Sequence, residues 1–160
     1  MRKIILLSMF GLLSMASCGG DKASKESLAS SDVTKAETDA NSNYDLLQGE
    51  GKFKDVKVDE KLNIQSADAG SKIFQVKCFT CHKLTNEKLI GPGLLGITTR
   101  FQPSWIMNYI TNTEAMLKKD PEAQAMLVKC GGVSMPNQNL SDEDARNLLE
   151  FMRKNDGIKP

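Results

Sequence analysis

The chain has 160 residues, of which 26% are charged and 40% hydrophobic, and its 21 basic and 20 acidic residues give a formal net charge of +1. A chain of this length has room for one modest domain with appended segments. The balanced charge, with no run of Lys and Arg interleaved with aromatic residues, argues against nucleic acid as a partner.

The first 17 residues have the pattern of an export signal. Two basic residues precede an apolar stretch at residues 4–13, which is too short to span a bilayer, and small residues precede Cys18. From Cys18 the sequence CGGDKASKES resembles the start of a mature bacterial lipoprotein, in which this cysteine is lipidated. We therefore expect residues 1–17 to be removed and Cys18 to carry a two-chain lipid anchor. The alternative is ordinary signal cleavage with Cys18 as an incidental thiol.

Two segments separate this signal from the predicted domain. Residues 18–43 are rich in Ser, Asp, Lys, Ala and Thr and contain no aromatic residue. They cannot bury enough apolar surface to offset the entropy of ordering, so we predict a disordered tether. Within residues 44–65, Phe53, Val56 and Val58 alternate loosely with polar residues. This pattern favours a short extended arm packed on the domain.

The first predicted helix covers residues 67–78, at the start of a domain expected to run over residues 66–160. Ser66 can cap this helix, and Gly70 and Phe74 lie one turn apart on the same face. A small residue beside an aromatic one allows another helix to approach closely.

The sequence CFTCH at residues 78–82 contains the only histidine of the chain. On a helix surface, Cys78 and Cys81 would be neighbours whose thiols can reach two points of one flat ligand. His82 could then turn its imidazole beneath the centre of that ligand. This spacing favours one covalent haem c, with thioethers at both cysteines and the iron bound by His82. Export agrees, because haem of this type is attached outside the cytoplasm.

Three other interpretations of this motif remain. A zinc site would need Cys130 as its fourth ligand, and the adjacent Cys81 and His82 would strain tetrahedral geometry. A redox dithiol of the thioredoxin kind requires a βαβ setting, which the sequence lacks. A plain disulfide would leave the single histidine unexplained.

Three further helices are predicted after the motif. One begins near Pro103 and carries an apolar stripe. The next is capped by Asp120 and stopped by the glycine pair that follows it. The last is capped by Ser141 and ended by Gly157, with apolar residues at helical spacing. No segment beyond the arm has a strand pattern, so the predicted fold class is all-α, with a core thin enough to need a ligand.

Met135 is the candidate for a second iron ligand, because no other histidine is present. It lies in the loop CGGVSMPNQNL, where no helical stripe explains an apolar side chain. Ordinary packing is the alternative. The other methionines of the domain lie in segments predicted to be helical: Met107, Met116, Met126 and Met152.

Together, AGSKIFQVKCFTCHKL, IGPGLLGI and SMPNQNLSDEDARNLLEFM resemble a class I monohaem cytochrome c over residues 66–154. The resemblance implies helices around one haem and contact of Gly70 and Phe74 with the last helix. It also implies that the backbone carbonyl of Pro92 accepts a hydrogen bond from His82.

Three other side chains are candidates for contacts in such a site. The indole N–H of Trp105 needs an acceptor and Arg100 can pair with a carboxylate, so haem propionates would satisfy either. A core or surface role is the alternative for both. Cys130 is interpreted as a small buried apolar residue, with a thiolate ligand or redox switch as the alternative.

The sequence thus predicts an electron carrier that is not an enzyme. It would be a monomer, lipid-anchored in the bacterial periplasm, passing single electrons between an extracytoplasmic donor and acceptor. The arm and the MPNQN loop resemble cytochromes associated with terminal reductases of the nitrous oxide reductase kind. From residue 66 onward twelve basic and ten acidic residues are present, so total charge does not name the partner. The alternative is a haem sensor or peroxidase with an open iron position.

Overall fold

The computed structural model describes residues 44–160, which belong to one compact unit, Asn41–Pro160. Within this part every regular element is an α-helix, so the all-α prediction is confirmed. The predicted signal peptide, the lipidation site Cys18 and the tether at residues 18–43 lie outside the described residues. The helices in chain order are α1 (Ile64–Lys77), α2 (Ile97–Arg100), α3 (Pro103–Thr111), α4 (Thr113–Lys119), α5 (Pro121–Lys129) and α6 (Asp142–Asn155).

The first helix begins earlier than predicted. Asn63 is its N-cap, and the Asn63 side chain accepts a hydrogen bond from the backbone N–H of Ser66 at 3.0 Å. The predicted cap at Ser66 is therefore wrong, because Ser66 already lies within the first turn. The side chain of an N-cap residue accepts a hydrogen bond from the N–H of the second or third helical residue, which has no partner within the helix.

The helices α5 and α6 begin at the N-cap residues that the sequence predicted. The Asp120 side chain accepts from the backbone N–H of Ala123 at 2.8 Å and caps α5. At α6, Ser141 and Asp144 form a reciprocal capping box, with both hydrogen bonds at 3.0 Å. Such caps are encoded within four residues, which explains why both helix starts could be predicted.

The helices α1 and α6 cross where the sequence placed a small residue. A Cβ added to Gly70 would lie 2.0 Å from the carbonyl oxygen of Asn147, so the two backbones are in close contact there. One turn further, the rings of Phe74 and Phe151 pack with their centroids 5.3 Å apart. This crossing fixes the position of the residues that follow α1, including the motif.

Two short helices were not predicted. The four-residue α2 begins after Gly96, whose φ of 75° is left-handed and whose lack of a side chain leaves no local cap. The N-cap of α4, Asn112, makes no side-chain hydrogen bond. Gly96 therefore gives α2 no capping signal, and Asn112 is of a capping residue type but makes no capping bond to α4.

The predicted arm at residues 44–65 forms no strand in the part of the chain that the structure describes: residues 46–48 form a turn, Asp55 has a left-handed φ of 49°, and residues 64 and 65 belong to α1. Its backbone instead satisfies buried polar side chains of α3. The fully buried Asn108 donates to the carbonyl oxygens of Gln48 and Phe53 at 2.8 and 2.9 Å and accepts from the N–H of Phe53 at 3.0 Å. The hydroxyl of Ser104 accepts from the N–H of Val56 at 2.9 Å. The arm is thus part of the packed unit.

A buried ion pair in α6 binds the other end of the arm. Glu150 and Arg153 are 1% and 6% exposed and lie 2.7 Å apart. Arg153 also donates to the backbone carbonyl of Asp59, and Glu150 accepts weakly from the N–H of Asn63 at 3.4 Å. Because a buried pair needs its remaining hydrogen bonds satisfied, removal of the arm would leave the ion pair intact but without its bonds to the backbone of Asp59 and Asn63.

Candidate haem-binding site

A largely apolar cleft lies between the segment after α1, the helices α3, α5 and α6, and the loop after α5. It contains about 1170 Å³ of space free of protein atoms, including solvent at its mouth. Its lining includes both motif thiols, the single imidazole and the predicted loop methionine. These site residues on the lining are Cys78, Cys81, His82, Pro92, Trp105, Cys130 and Met135.

The motif lies in a turn that directly follows α1. Cys78 is the C-cap of the helix, and both Cys81 and His82 donate their backbone N–H to its carbonyl oxygen, at 3.0 and 2.9 Å. The expectation that the two thiols lie on a helix surface is therefore wrong, because the helix ends at Lys77. The turn still places both thiols on the lining of one cleft.

His82 is oriented by the segment IGPG. Its Nδ1 lies 2.9 Å from the backbone carbonyl oxygen of Pro92. A carbonyl oxygen can only accept, so Nδ1 carries the proton and Nε2 is left with the lone pair that a metal needs. A Cβ added to Gly91 would lie 2.4 Å from Cε1 of His82, so the Gly91 backbone packs against the ring.

The loop that carries Pro92 folds back onto the motif through its own backbone. Gly91 donates its N–H to the carbonyl oxygen of Cys81, and Leu94 donates to that of Lys83, both at 2.9 Å. A third bond runs from the N–H of Leu95 to the carbonyl oxygen of Thr85 at 3.2 Å. These bonds hold the Pro92 carbonyl close to the imidazole.

The electrostatic environment of the cleft is that of an apolar site. Burial is the largest cause that raises the pKa of the Cys78 thiol, to about 11, against a smaller lowering by Lys77. Burial is also the largest cause that raises the pKa of Tyr109, which lines the same cleft, and the charges of Cys130 and Asp120 are smaller causes in the same direction. Such a lining suits a flat, mostly apolar ligand.

Three methionines lie on the lining. Met135 is partly buried in a loop, whereas Met126 and Met152 are buried in α5 and α6. Met107 and Met116 are not on the lining, and the sulfur of Met116 accepts a hydrogen bond from a backbone N–H of the arm at 3.0 Å. The two helical methionines pack in the core cluster, which leaves Met135 as the thioether without a packing role.

The two proposed propionate contacts have different outcomes. The indole N–H of Trp105 donates to the Asp120 carboxylate at 3.0 Å, and the Tyr44 hydroxyl donates to the same oxygen at 2.8 Å. The structure thus replaces the propionate predicted at Trp105 with Asp120. Arg100 is exposed and is not on the cleft lining, and its guanidinium lies 5.7 Å from the ring centroid of Phe101.

Sequence reasoning missed Asp120 as the acceptor and the aromatic wall beside it. Trp105 stacks between Phe101 and Tyr109, with ring centroids 4.0 and 5.1 Å away. Trp105 and Tyr109 lie one turn apart on α3, within the apolar stripe that the sequence predicted, whereas Phe101 precedes this helix at the end of α2. The role of Asp120 was hidden because the sequence showed only a helix cap.

The zinc interpretation lacks support in the described part of the chain. No three His, Cys, Asp or Glu side chains within residues 44–160 are grouped so that they could hold a metal ion. Cys130 is partly buried on the cleft lining as a free thiol. A single imidazole and a thioether in an apolar cleft fit haem iron better than zinc.

Comparison with known proteins agrees with this geometry. The family model described as "Cytochrome c" matches residues 67–156. A "Cytochrome c-553-like" protein from Synechocystis is 36% identical over 62 residues, which are 38% of this chain and 59% of that protein. The chain therefore spans less than two thirds of that relative's length.

Two solved structures share the fold. Cytochrome c from Rhodothermus marinus has a TM-score of 0.63 and 33% identity, covering 66% of this chain and 90% of that one. An engineered cytochrome c from the same organism, Rma TDE, has a TM-score of 0.63 and 32% identity, with the same coverage of 66% and 90%.

The chain belongs to the cytochrome c family, and its architecture is that of the class I members. Its cofactor is one haem c, bound covalently, and Cys78 and Cys81 are present with the spacing that such attachment requires. The residues fit this cofactor, because one apolar cleft brings both thiols to an imidazole with a free Nε2. Cytochromes c of this family are typically extracytoplasmic. Among residues 44–160, no helix is long and apolar enough to cross a membrane.

Proposed function

We propose that this protein is a membrane-tethered carrier of single electrons between extracytoplasmic redox partners. One observation carries the proposal: His82 and Met135, from segments more than fifty residues apart, line the same cleft as Cys78 and Cys81. A haem with two protein ligands for its iron suits electron transfer rather than catalysis, because no iron position is left for a substrate.

Each residue has a separate task. Haem c, when bound, supplies a one-electron iron couple. Cys78 and Cys81 would hold it by thioether bonds, His82 would offer Nε2 to the iron, and Met135 would offer its sulfur from the loop after α5. Thioether ligation favours the reduced iron, so a comparatively high reduction potential is expected. The Pro92 carbonyl keeps the imidazole in the correct tautomer.

The direct test uses the full-length protein matured in a periplasm. Its intact mass should exceed that of the polypeptide by one haem, and its ferric spectrum should show the sulfur-to-iron charge-transfer band. Met135→Leu should abolish this band, while Met126→Leu, a matched change on the same lining, should preserve it. An unmodified polypeptide mass would end the haem assignment, and a band that survives Met135→Leu would end the ligand assignment.

The surface of the segment that carries the motif, residues 72–90, indicates how a partner docks. Within residues 72–88 the only acid is Glu87. Val76 and Phe79 are exposed there by 81% and 59%, and Ile90 on the cleft lining by 46%. The lysines of this segment, called the basic rim below, are Lys72, Lys77, Lys83 and Lys88, of which Lys83 pairs with Glu87 at 2.7 Å. Exposed apolar side chains in a segment rich in lysine suit a small transient interface with an acidic partner.

A small anionic oxidant tests the basic rim. Lys72→Glu should slow oxidation of the reduced protein by ferricyanide several-fold at low salt, and added salt should remove the difference. Lys61→Glu, an equal charge change in the arm, is the matched control. Equal effects of both changes would show that net charge, rather than the basic rim, governs the encounter.

The acceptor proposed from the arm and the MPNQN loop is a terminal reductase of the nitrous oxide reductase kind. Reduced protein mixed with such a reductase and its substrate should be reoxidised, whereas protein without the reductase should stay reduced. Failure to transfer electrons would remove this acceptor and leave the carrier function standing.

The proposed anchor is lipidated Cys18. Membrane fractions of expressing cells should contain the protein, and its mature mass should include the lipid. Cys18→Ser should release it into the soluble periplasmic fraction. A Cys18→Ser protein that stays in the membrane would contradict the anchor.

A haem sensor or peroxidase is the alternative function, and one observation favours it. Residues 133–140, which carry Met135, take part in no backbone-to-backbone hydrogen bond within the described chain. A loop held so weakly could release its sulfur and open the iron. An engineered Rhodothermus marinus cytochrome c has been solved bound to a carbene intermediate. Peroxidase turnover by the wild-type protein equal to that of Met135→Ala would favour this alternative.

A further inference from the structure

The C-terminal end of α6 reaches the loop that carries Pro92. The carboxylate of Asp156 accepts from the backbone N–H of Gly96 at 2.6 Å, and from the N–H and hydroxyl of Thr98 at 2.8 and 2.7 Å. Gly96 is the N-cap of α2 and has no side chain to serve its N–H groups. Asp156 therefore caps α2 from a position 60 residues away.

The neighbouring residue holds the other end of the same loop. Asn155 donates its side-chain N–H to the backbone carbonyl of Leu84 at 3.1 Å. Two consecutive side chains of α6 thus fix residues 84 and 96–98, and Pro92 lies between these points. The other side-chain bond from this loop to a distant element, within the described chain, comes from the exposed Lys88, which donates to the carbonyl of Lys129.

Both partners of the His82 hydrogen bond are consequently positioned by α6. The imidazole follows α1, which crosses α6 in backbone contact at Gly70. The acceptor carbonyl of Pro92 lies in the loop that Asn155 and Asp156 hold. The distance of 2.9 Å between Nδ1 and this oxygen therefore depends on the end of α6 as well as on the loop itself.

We propose that Asn155 and Asp156 are positioning residues for His82, and that through the Pro92 carbonyl they tune the electron donation of its imidazole. This inference rests on the proposed role of His82 as iron ligand. A strong hydrogen bond from Nδ1 makes the ring more basic and stabilises ferric iron. Loosening the loop weakens that bond, so loss of either side chain should raise the reduction potential.

The test uses full-length holoprotein with Asp156→Ala, Asp156→Asn and Asn155→Ala. Exchange of the His82 Nδ1 proton, followed by NMR, should become about 2- to 10-fold faster in Asp156→Ala, as expected when one hydrogen bond weakens, and the reduction potential should rise. Asp156→Asn keeps one acceptor oxygen and should fall between Asp156→Ala and wild type. It also keeps the test valid should Asp156→Ala fail to fold.

Lys154→Ala is the matched control. Its side chain is the adjacent one on α6 and pairs with Asp68 at 2.8 Å on the surface, without contact to the loop. It should leave exchange and potential unchanged. Wild-type values in folded Asp156→Asn and Asn155→Ala would overturn the proposal, as would an equal shift in Lys154→Ala. A wild-type protein without an imidazole-ligated spectrum would instead refute the proposed role of His82.

Discussion

The two sides of the cleft are built differently. On one side, the His82 loop (residues 82–96) is held by backbone bonds to the motif, by Asn155 and Asp156, and by contact of Gly91 with the imidazole. On the other side, residues 133–140 make no backbone-to-backbone bond in the described chain. Their one hydrogen bond to another element is from Lys77 to the carbonyl of Gln138, at 2.9 Å.

This difference indicates which of the two proposed iron ligands should dissociate first. Local opening requires the loss of few contacts where backbone hydrogen bonds are absent and side chains are exposed. Val133, at 56% exposure, and the partly buried Met135 lie in such a segment. We therefore expect the sulfur to leave iron while the imidazole stays bound.

The largest effect is expected from Gly91→Ala on the tightly packed side. The new Cβ would lie 2.4 Å from Cε1 of His82, so the ring or the loop must move. Overpacking of this kind lowers the free energy of unfolding by about 1–3 kcal/mol. Denaturation of the holoprotein should show this loss together with an altered potential.

Leu89→Ala, an exposed change in the same loop, is the control for Gly91→Ala and should leave the potential near wild type. If Gly91→Ala behaves like Leu89→Ala, the side of the cleft that holds His82 is more compliant than its contacts indicate.

A smaller effect is expected from Lys77→Ala, which removes the bond to Gln138. One hydrogen bond contributes about 0.5–1.5 kcal/mol, so exogenous imidazole should displace Met135 with about 2- to 10-fold higher affinity. A spectral titration of ferric protein measures this. Lys72→Ala, which removes a lysine with no bond in the described chain, should bind imidazole like wild type; a matching increase there would point to charge alone.

The smallest effect on the iron ligands is expected from Gly131→Ala at the start of the Met135 loop. Nothing lies within 4 Å of the added Cβ, and only the left-handed φ of 72° opposes it. The free energy of unfolding should fall by about 1 kcal/mol, with an unchanged ligand spectrum. A loss as large as that of Gly91→Ala would show that the Met135 loop is as constrained as the His82 loop.

Local signals explain what could be predicted. Ser141 and Asp120 predict the starts of their helices from sequence signals within four residues, and the spacing of the cysteines predicts the cofactor. Met135 was singled out because glycines and a proline marked its segment as a loop. The role of the Pro92 carbonyl was predicted from the resemblance to class I cytochromes c, and the structure shows its hydrogen bond with His82.

What escaped prediction depends on partners far apart in sequence. Asp156 caps α2 across 60 residues, and Trp105 donates to an acid 15 residues away. Asn108 is satisfied by arm backbone that lies 55 and 60 residues earlier. The sequence around each of these residues indicates only an ordinary surface or core role. Their hydrogen-bond partners could not be predicted, because only the fold brings those partners within reach.

The most direct test is a denaturant titration of ferric holoprotein, followed by the sulfur-to-iron charge-transfer band and by far-ultraviolet circular dichroism. We expect the band to disappear at a lower denaturant concentration than the helical signal, while the imidazole remains bound. Coincident loss of the band and the helices would show that Met135 is held as firmly as His82, and would contradict the asymmetry of the two sides.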